Sequence, residues 1–144
     1  MRLPHIKVLL INGSKTDYWE EVVRRALKPV AEVEATTERE GLELLGTHEF
    51  DLVILDATTI DEASLTIERI LARQREARII VATTTPTWRR ARAAFRAGAI
   101  DYVSKTLDGH GVRSTICAAL RESRLHSPAD RWGGEDDEEN GTTC

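Results

Sequence analysis

Five short runs rich in branched aliphatic residues recur along the chain, each followed by a longer amphipathic stretch, and any fold must satisfy this alternation. Strands joined by helical crossovers lie parallel, with helices covering both faces of one sheet. The runs are residues 6–11, 30–35, 51–55, 78–83 and 100–103. Two of them, Val8-Leu9-Leu10-Ile11 and Leu52-Val53-Ile54-Leu55, are apolar without alternation, which marks strands buried on both faces and therefore central. The predicted architecture is a doubly wound α/β domain, a single five-stranded parallel sheet with five helices.

The helices declare themselves through caps and stripes. Asp17 is placed to cap the first, with Glu20 reaching back and Trp19, Val22, Val23, Ala26 and Leu27 on the core face. Thr37 with Glu40 forms a second capping box, ahead of Leu42, Leu45 and a closing Gly46. The third helix spans about 61–73 around Ile67, Ile70 and Leu71. The fourth starts after Pro86 with Thr87 as cap, is expected to bury Ala91, Ala94 and Phe95, and stops at Gly98, a residue suited to a left-handed C-cap. The fifth begins near Asp108, aligns Val112, Ile116, Ala119 and Leu120, and fades by about Leu125.

The chain has 144 residues, enough to bury one substantial core. Residues 1–126 are expected to form that domain. Residues 127–144 lack apolar periodicity and read as an acidic, disordered tail: positions 130–144 carry six acids against one base, leaving 18 acids and 19 bases upstream. No apolar run approaches the ~20 residues of a membrane helix and the first residues lack a secretory pattern, so a cytoplasmic protein without membrane contact is expected. Two cysteines, Cys117 and Cys144, supply neither a disulfide framework nor a four-ligand metal site, and Cys117 reads as packing or a quiet surface thiol. His5, His48, His110 and His126 are scattered without metal-ligand spacing.

In an open parallel sheet, ligands bind beyond the carboxyl ends of the strands. Those ends carry Asn12 and Gly13, Asp56, Thr83 with Thr84, and Ser104 with Lys105. Asp56 ends a strand that should be buried, so its charge requires a partner or a cation, and Lys105 is the natural partner. The same residues also fit a plain ion pair at the sheet edge, with Thr83 as a strand-terminal hydrogen bonder.

The stretch from Ala35-Thr36-Thr37-Glu38-Arg39-Glu40-Gly41 through Leu45, running into Phe50-Asp51-Leu52-Val53-Ile54-Leu55-Asp56, and the segment Ala97-Gly98-Ala99-Ile100-Asp101-Tyr102-Val103-Ser104-Lys105 are both distinctive. On these motifs the sequence resembles, over residues 5–125, the receiver domains of two-component response regulators. The resemblance implies a flavodoxin-like fold with strand order 2-1-3-4-5 and a phosphoaccepting role for Asp56. It also implies a switch hydroxyl at Thr83, a phosphate-contacting amine at Lys105 and an aromatic switch at Tyr102. A histidine kinase or phosphotransfer protein would be the donor. A separate effector, or a second copy forming a homodimer, would read the surface of the fourth helix, fifth strand and fifth helix.

Three departures stand beside the resemblance. The family's acidic pair after strand one, which holds Mg2+, is here Asn12 and Gly13, leaving Asp56, Asn12 and the Thr58 backbone as a weakened Mg2+ donor set. The proline that commonly follows the lysine is Thr106, and the loop Ala57-Thr58-Thr59-Ile60-Asp61 lacks the family's proline and glycine. Two readings follow: a stand-alone receiver accepting phosphate on Asp56, or a phosphate-independent pseudo-receiver that docks proteins. A flavin mononucleotide carrier of the same fold, using the loop 12–16 as a phosphate cradle, is the alternative from another class. Trp88, Arg89, Arg92 and Arg96 on the fourth helix read as a protein-docking surface rather than a nucleic-acid interface, because Trp and Arg are favoured interface anchors and no helix-turn-helix unit follows.

Overall fold

The computed structural model describes residues 6–12, 18–28, 30–58, 60, 62–106 and 108–122. The elements run in strict alternation: β1 (Ile6–Asn12), α1 (Trp19–Leu27), β2 (Ala31–Thr36), α2 (Glu38–Leu45), β3 (Leu52–Asp56), α3 (Ala63–Arg73), β4 (Ile79–Thr83), α4 (Trp88–Ala97), β5 (Asp101–Ser104) and α5 (Gly109–Glu122). All pairings are parallel and the sheet order is β2-β1-β3-β4-β5, as the family resemblance implied. Every residue of β3 and of β4 is buried, so β4 joins β1 and β3 as an interior strand.

Side-chain alternation divides the core into two layers. Val8, Leu10, Leu52, Ile54, Ile80 and Ala82 face α1 and α5, meeting Trp19, Val23, Leu27, Val112, Ile116, Ala119 and Leu120. Leu9, Ile11, Val53, Leu55, Ile79 and Val81 face the other way, onto Leu45, Ile67, Ile70, Ala94 and Ala99. Each fully buried aliphatic contributes on the order of 1.5–3 kcal/mol, so the sheet interior carries most of the stabilisation. Cys117 is buried within α5.

Local signals explain several boundaries. Thr37 and Glu40 form the expected reciprocal capping box at the start of α2. Gly41 brings α2 close to β1, since a Cβ there would lie 2.8 Å from both Ile11 Cγ1 and Thr36 Oγ1. At the start of α1 the expected cap, Asp17, lies outside the described residues; Tyr18 precedes the helix without a side-chain cap, and Glu20 pairs with Arg24 at 2.9 Å. Residues 13–16, Asp61, His5, His126 and the acidic stretch 127–144 also fall outside the described residues.

Two further expectations are corrected. Phe95 is 48% exposed rather than buried, and of the expected α4 stripe only Ala94 is fully covered. Ala91, Ala94 and Ala97 form a narrow strip of small side chains, and Phe95 lies about 100° around the helix from Ala94. Asn12 and Asp56 were expected just beyond their strands but are their last residues, because the β1–β3 ladder extends to the Asn12–Asp56 pair.

Gly98 closes α4 at φ +124, with its N–H donating to the carbonyls of Ala94 and Phe95. A Cβ there would approach Leu71 Cδ1 to 2.6 Å, but that atom is the tip of a side chain and can yield; the backbone conformation cannot. Gly98→Ala is therefore expected to cost roughly 1–3 kcal/mol. Urea unfolding should show a lower midpoint at unchanged slope; an unchanged midpoint would contradict it.

Candidate functional site at the carboxyl edge of the sheet

Asp56 is 3% exposed and sits between β1 and β4, in register with Asn12 on one side and Ala82 on the other. A carboxylate in that position has lost its water and must be compensated. The lysine that does so is positioned by the ladder. The Lys105 N–H donates to the Thr83 carbonyl at 2.9 Å, continuing the β4–β5 pairing one residue past Ser104. Rooted there, the side chain crosses β4 and its Nζ donates to Asp56 Oδ2 at 2.7 Å. Both partners are buried, Lys105 to 7% exposure. The other carboxylate oxygen, Oδ1, accepts from the Thr58 N–H at 3.0 Å.

A third group closes the arrangement. The ring of Trp19, itself buried, lies with its centroid 5.5 Å from Lys105 Nζ. An indole face beside a desolvated ammonium contributes about 0.5–2 kcal/mol. The first turn of α1 thus covers the ion pair from the face shared with α5. Sequence reasoning placed Trp19 in the core stripe and missed this second role. Nothing in its spacing separates the two, because the core-facing stripe of α1 and the carboxyl edge of the sheet meet at this one residue.

The remaining expected site residues divide. Asn12 is buried beside Asp56, adding an amide and no charge. Thr83 is buried at the end of β4, but its Oγ1 accepts from the Thr85 N–H at 3.2 Å instead of engaging the ion pair. Tyr102 is half-buried on the opposite face of the sheet, packed against the layer containing Val81, Ala94 and Ala99. Trp88, Arg89, Arg92 and Arg96 are exposed along α4, with the Arg92 guanidinium 5.8 Å from the Trp88 ring centroid. A surface groove lined by Lys7, Arg24, Glu32 and Glu34 runs along β2 beside the amino end of β1 and does not include Asp56.

The family model described as the response regulator receiver domain matches residues 16–116. The chain belongs to this family. It is a receiver domain of two-component systems, a signalling family whose members interact with histidine kinases or phosphotransfer proteins. No curated protein matches the sequence. Among solved structures, a CheY-like response regulator receiver domain protein from Methanospirillum hungatei is similar with a TM-score of 0.70 at 17% identity, covering 86% of this chain and 100% of that one. A response regulator from Thermotoga maritima aligns with a TM-score of 0.74 at 21% identity, covering 82% and 99%. A response regulator protein from Burkholderia pseudomallei, solved with a phosphorylated aspartic acid, calcium ion and citrate, aligns with a TM-score of 0.67 at 23% identity, covering 94% and 75%. At these identities the structures attest the fold.

The donor set at Asp56 does not match a Mg2+ site of the receiver type. Among the described residues no group of three or more His, Cys, Asp or Glu side chains is placed to hold a metal ion. The Asp56 carboxylate already accepts from an ammonium and from a backbone N–H, whereas Mg2+ calls for one or two carboxylates kept for the ion. Among the described residues, no helix is long and apolar enough to cross a membrane.

Removing one member of a buried ion pair strands the other. Lys105→Met is expected to destabilise the fold by roughly 3–5 kcal/mol, and adding Asp56→Asn should recover a large part of that loss. Urea unfolding of the two single variants and the double variant checks this; strictly additive costs would mean that the pair is not energetically coupled.

Proposed function

We propose that this receiver domain accepts a phosphoryl group on Asp56 from a phosphohistidine and uses Thr83, Lys105 and Tyr102 to convert that event into a change at α4, β5 and α5. The observation that carries the reading is the 2.7 Å contact between Lys105 Nζ and Asp56 Oδ2 at the carboxyl edge of β3, an amine already seated where phosphoryl charge would arrive. An Asp56 carboxylate oxygen attacks phosphorus. The P–N bond breaks, its electron pair stays on the imidazole nitrogen, and an acyl phosphate forms. Lys105 exchanges its carboxylate partner for a phosphoryl oxygen and neutralises part of the incoming charge.

Within this reading Thr83 gives up its turn contact with the Thr85 N–H and donates to the phosphoryl group. Thr83 ends β4 opposite Ser104, and Tyr102 lies two residues earlier on β5 in register with Val81, so movement of β4's end would be passed to the ring through this strand pair. Effector or homodimer contacts would then form on the face carrying Trp88, Arg89, Arg92 and Arg96.

A second reading, a phosphate-independent docking module, is favoured by one specific observation: Asp56 is 3% exposed, with both its oxygens engaged. One experiment separates the two. Incubation with acetyl phosphate, with and without divalent cations, followed by intact mass measurement, should give a single phosphoryl adduct on the native chain and none on Asp56→Asn. Absence of an adduct under every cation condition would overturn phosphoryl transfer and leave the docking module.

A further inference from the structure

The helices of this domain differ in how they handle their own charge. On α1, Glu20 pairs with Arg24 at 2.9 Å and Glu21 with Arg25 at 3.0 Å. On α2, Arg39 faces Glu43 at 3.8 Å, while Glu38 takes Arg69 of α3 at 3.2 Å. The ten residues of α4, WRRARAAFRA, contain four arginines and no acid. Among the described residues none of the four has a carboxylate partner; Arg90 bonds to Thr85 Oγ1 and Arg92 lies against Trp88.

The same face is unusually apolar for an exposed surface. Trp88 is 76% exposed and Phe95 48%, two of the five large hydrophobic residues that the described surface leaves open. Trp88, Arg92 and Phe95 follow i, i+4, i+7 spacing and form one stripe, with Arg89 and Arg96 immediately beside it. A stripe of aromatic and guanidinium groups suits an acidic segment with an aromatic anchor.

Such a segment is present in the chain. Residues 135–139 are Glu-Asp-Asp-Glu-Glu, and Trp132 precedes them by three positions. Upstream of residue 130 the acids and bases nearly cancel, so the acidic excess and the unpaired arginines occupy two separate parts of the molecule. We propose that the acidic run 135–139 docks in cis on the outer face of α4, its carboxylates on Arg89, Arg92 and Arg96 and Trp132 against the exposed apolar side chains.

The span is short enough for a domain of this size, whose radius of gyration is about 14 Å. Helix α5 runs to Glu122, and the intervening chain can extend roughly 3.3–3.6 Å per residue, about 45 Å in all. The whole of α4 is only about 15 Å long. Tethering over that distance gives an effective concentration on the order of millimolar, enough for contacts that would be weak between separate molecules. This inference stands apart from phosphoryl transfer and holds for either reading of Asp56. Its consequence is that α4 is masked by the chain itself, and an effector must displace the tail to reach it.

The test uses the full chain and a full-length variant carrying Glu135→Gln, Asp136→Asn, Asp137→Asn, Glu138→Gln and Glu139→Gln. In proton–nitrogen correlation spectra at low salt, the Trp88 indole N–H and the Arg89, Arg92 and Arg96 amides should differ between the two. The difference should vanish near 1 M salt, where the screening length falls to about 3 Å. It should not change on dilution, and a synthetic peptide of residues 130–144 should bind the neutralised variant at least tenfold more tightly than the native chain. Identical α4 resonances in both chains at low salt would overturn the proposal. So would a difference that disappears on dilution, which would assign the occupant to the tail of a second copy.

Discussion

A carboxylate that ends a strand buried on both faces needs a compensating partner, and the carboxyl edge of this sheet is organised around supplying one. That partner comes from two strands away. Lys105 reaches Asp56 because β4 lies between β3 and β5 and the Thr83 carbonyl fixes the lysine's backbone. Trp19, from the other end of the chain, seals the pair on the α1 side. The side chains thus tie β3 to β5, which are not neighbours in the sheet, and both to α1. Charge burial here constrains strand order as firmly as the apolar layers do.

The site's charge is balanced within itself. One carboxylate meets one ammonium, and the position in register with Asp56 holds the neutral Asn12. In receivers of the usual pattern, further acids after the first strand add negative charge that calls for a divalent ion. Here the described residues leave no surplus anion at rest, so the loss of acidic side chains and the tight Lys105 contact belong to one electrostatic solution. Under the proposed function, charge arriving at Asp56 would be met by Lys105 and by hydrogen-bond donors at the ends of β3 and β4.

Much of this was legible in the sequence, for reasons that can be named. The unbroken apolar runs of β1 and β3 specified central strands, the Thr37–Glu40 pair specified a helix start, and Gly98 marked a left-handed stop. Asp56 and Lys105 were found together because a charge at the end of a buried strand needs an opposite charge. Three features escaped. Ladder pairing carried Asn12 and Asp56 into their strands, an effect of neighbouring strands that no local pattern encodes. Phe95 was assigned to the core because apolar character was counted without size; the alanines at 91, 94 and 97 make the contact strip narrow and leave the larger ring outside. Trp19 was read for its helix face, whereas its role at the ion pair follows from where the first turn of α1 sits above the sheet edge.

The geometry also explains why one strand is suited to link the two parts of the surface considered above. β5 is an edge strand, half-buried at all four positions, while β3 and β4 are buried throughout. It has less packing than β3 or β4 to resist displacement. Lys105 follows directly from its end and points to the α1–α5 layer; Tyr102 lies within it and points to the layer shared with α4. Under the proposed function, a change of partner at Lys105 would be felt first by this edge strand, and Tyr102 would carry that movement to the opposite face. In that reading α4 would receive it through Ala94 and Ala99, the small residues that seat the helix against this layer, while its outer side presents Trp88, Phe95 and four arginines. Inner contacts with small atoms and outer contacts with large, charged ones mean that a slight shift of α4 costs little in the core and displaces the outer groups most.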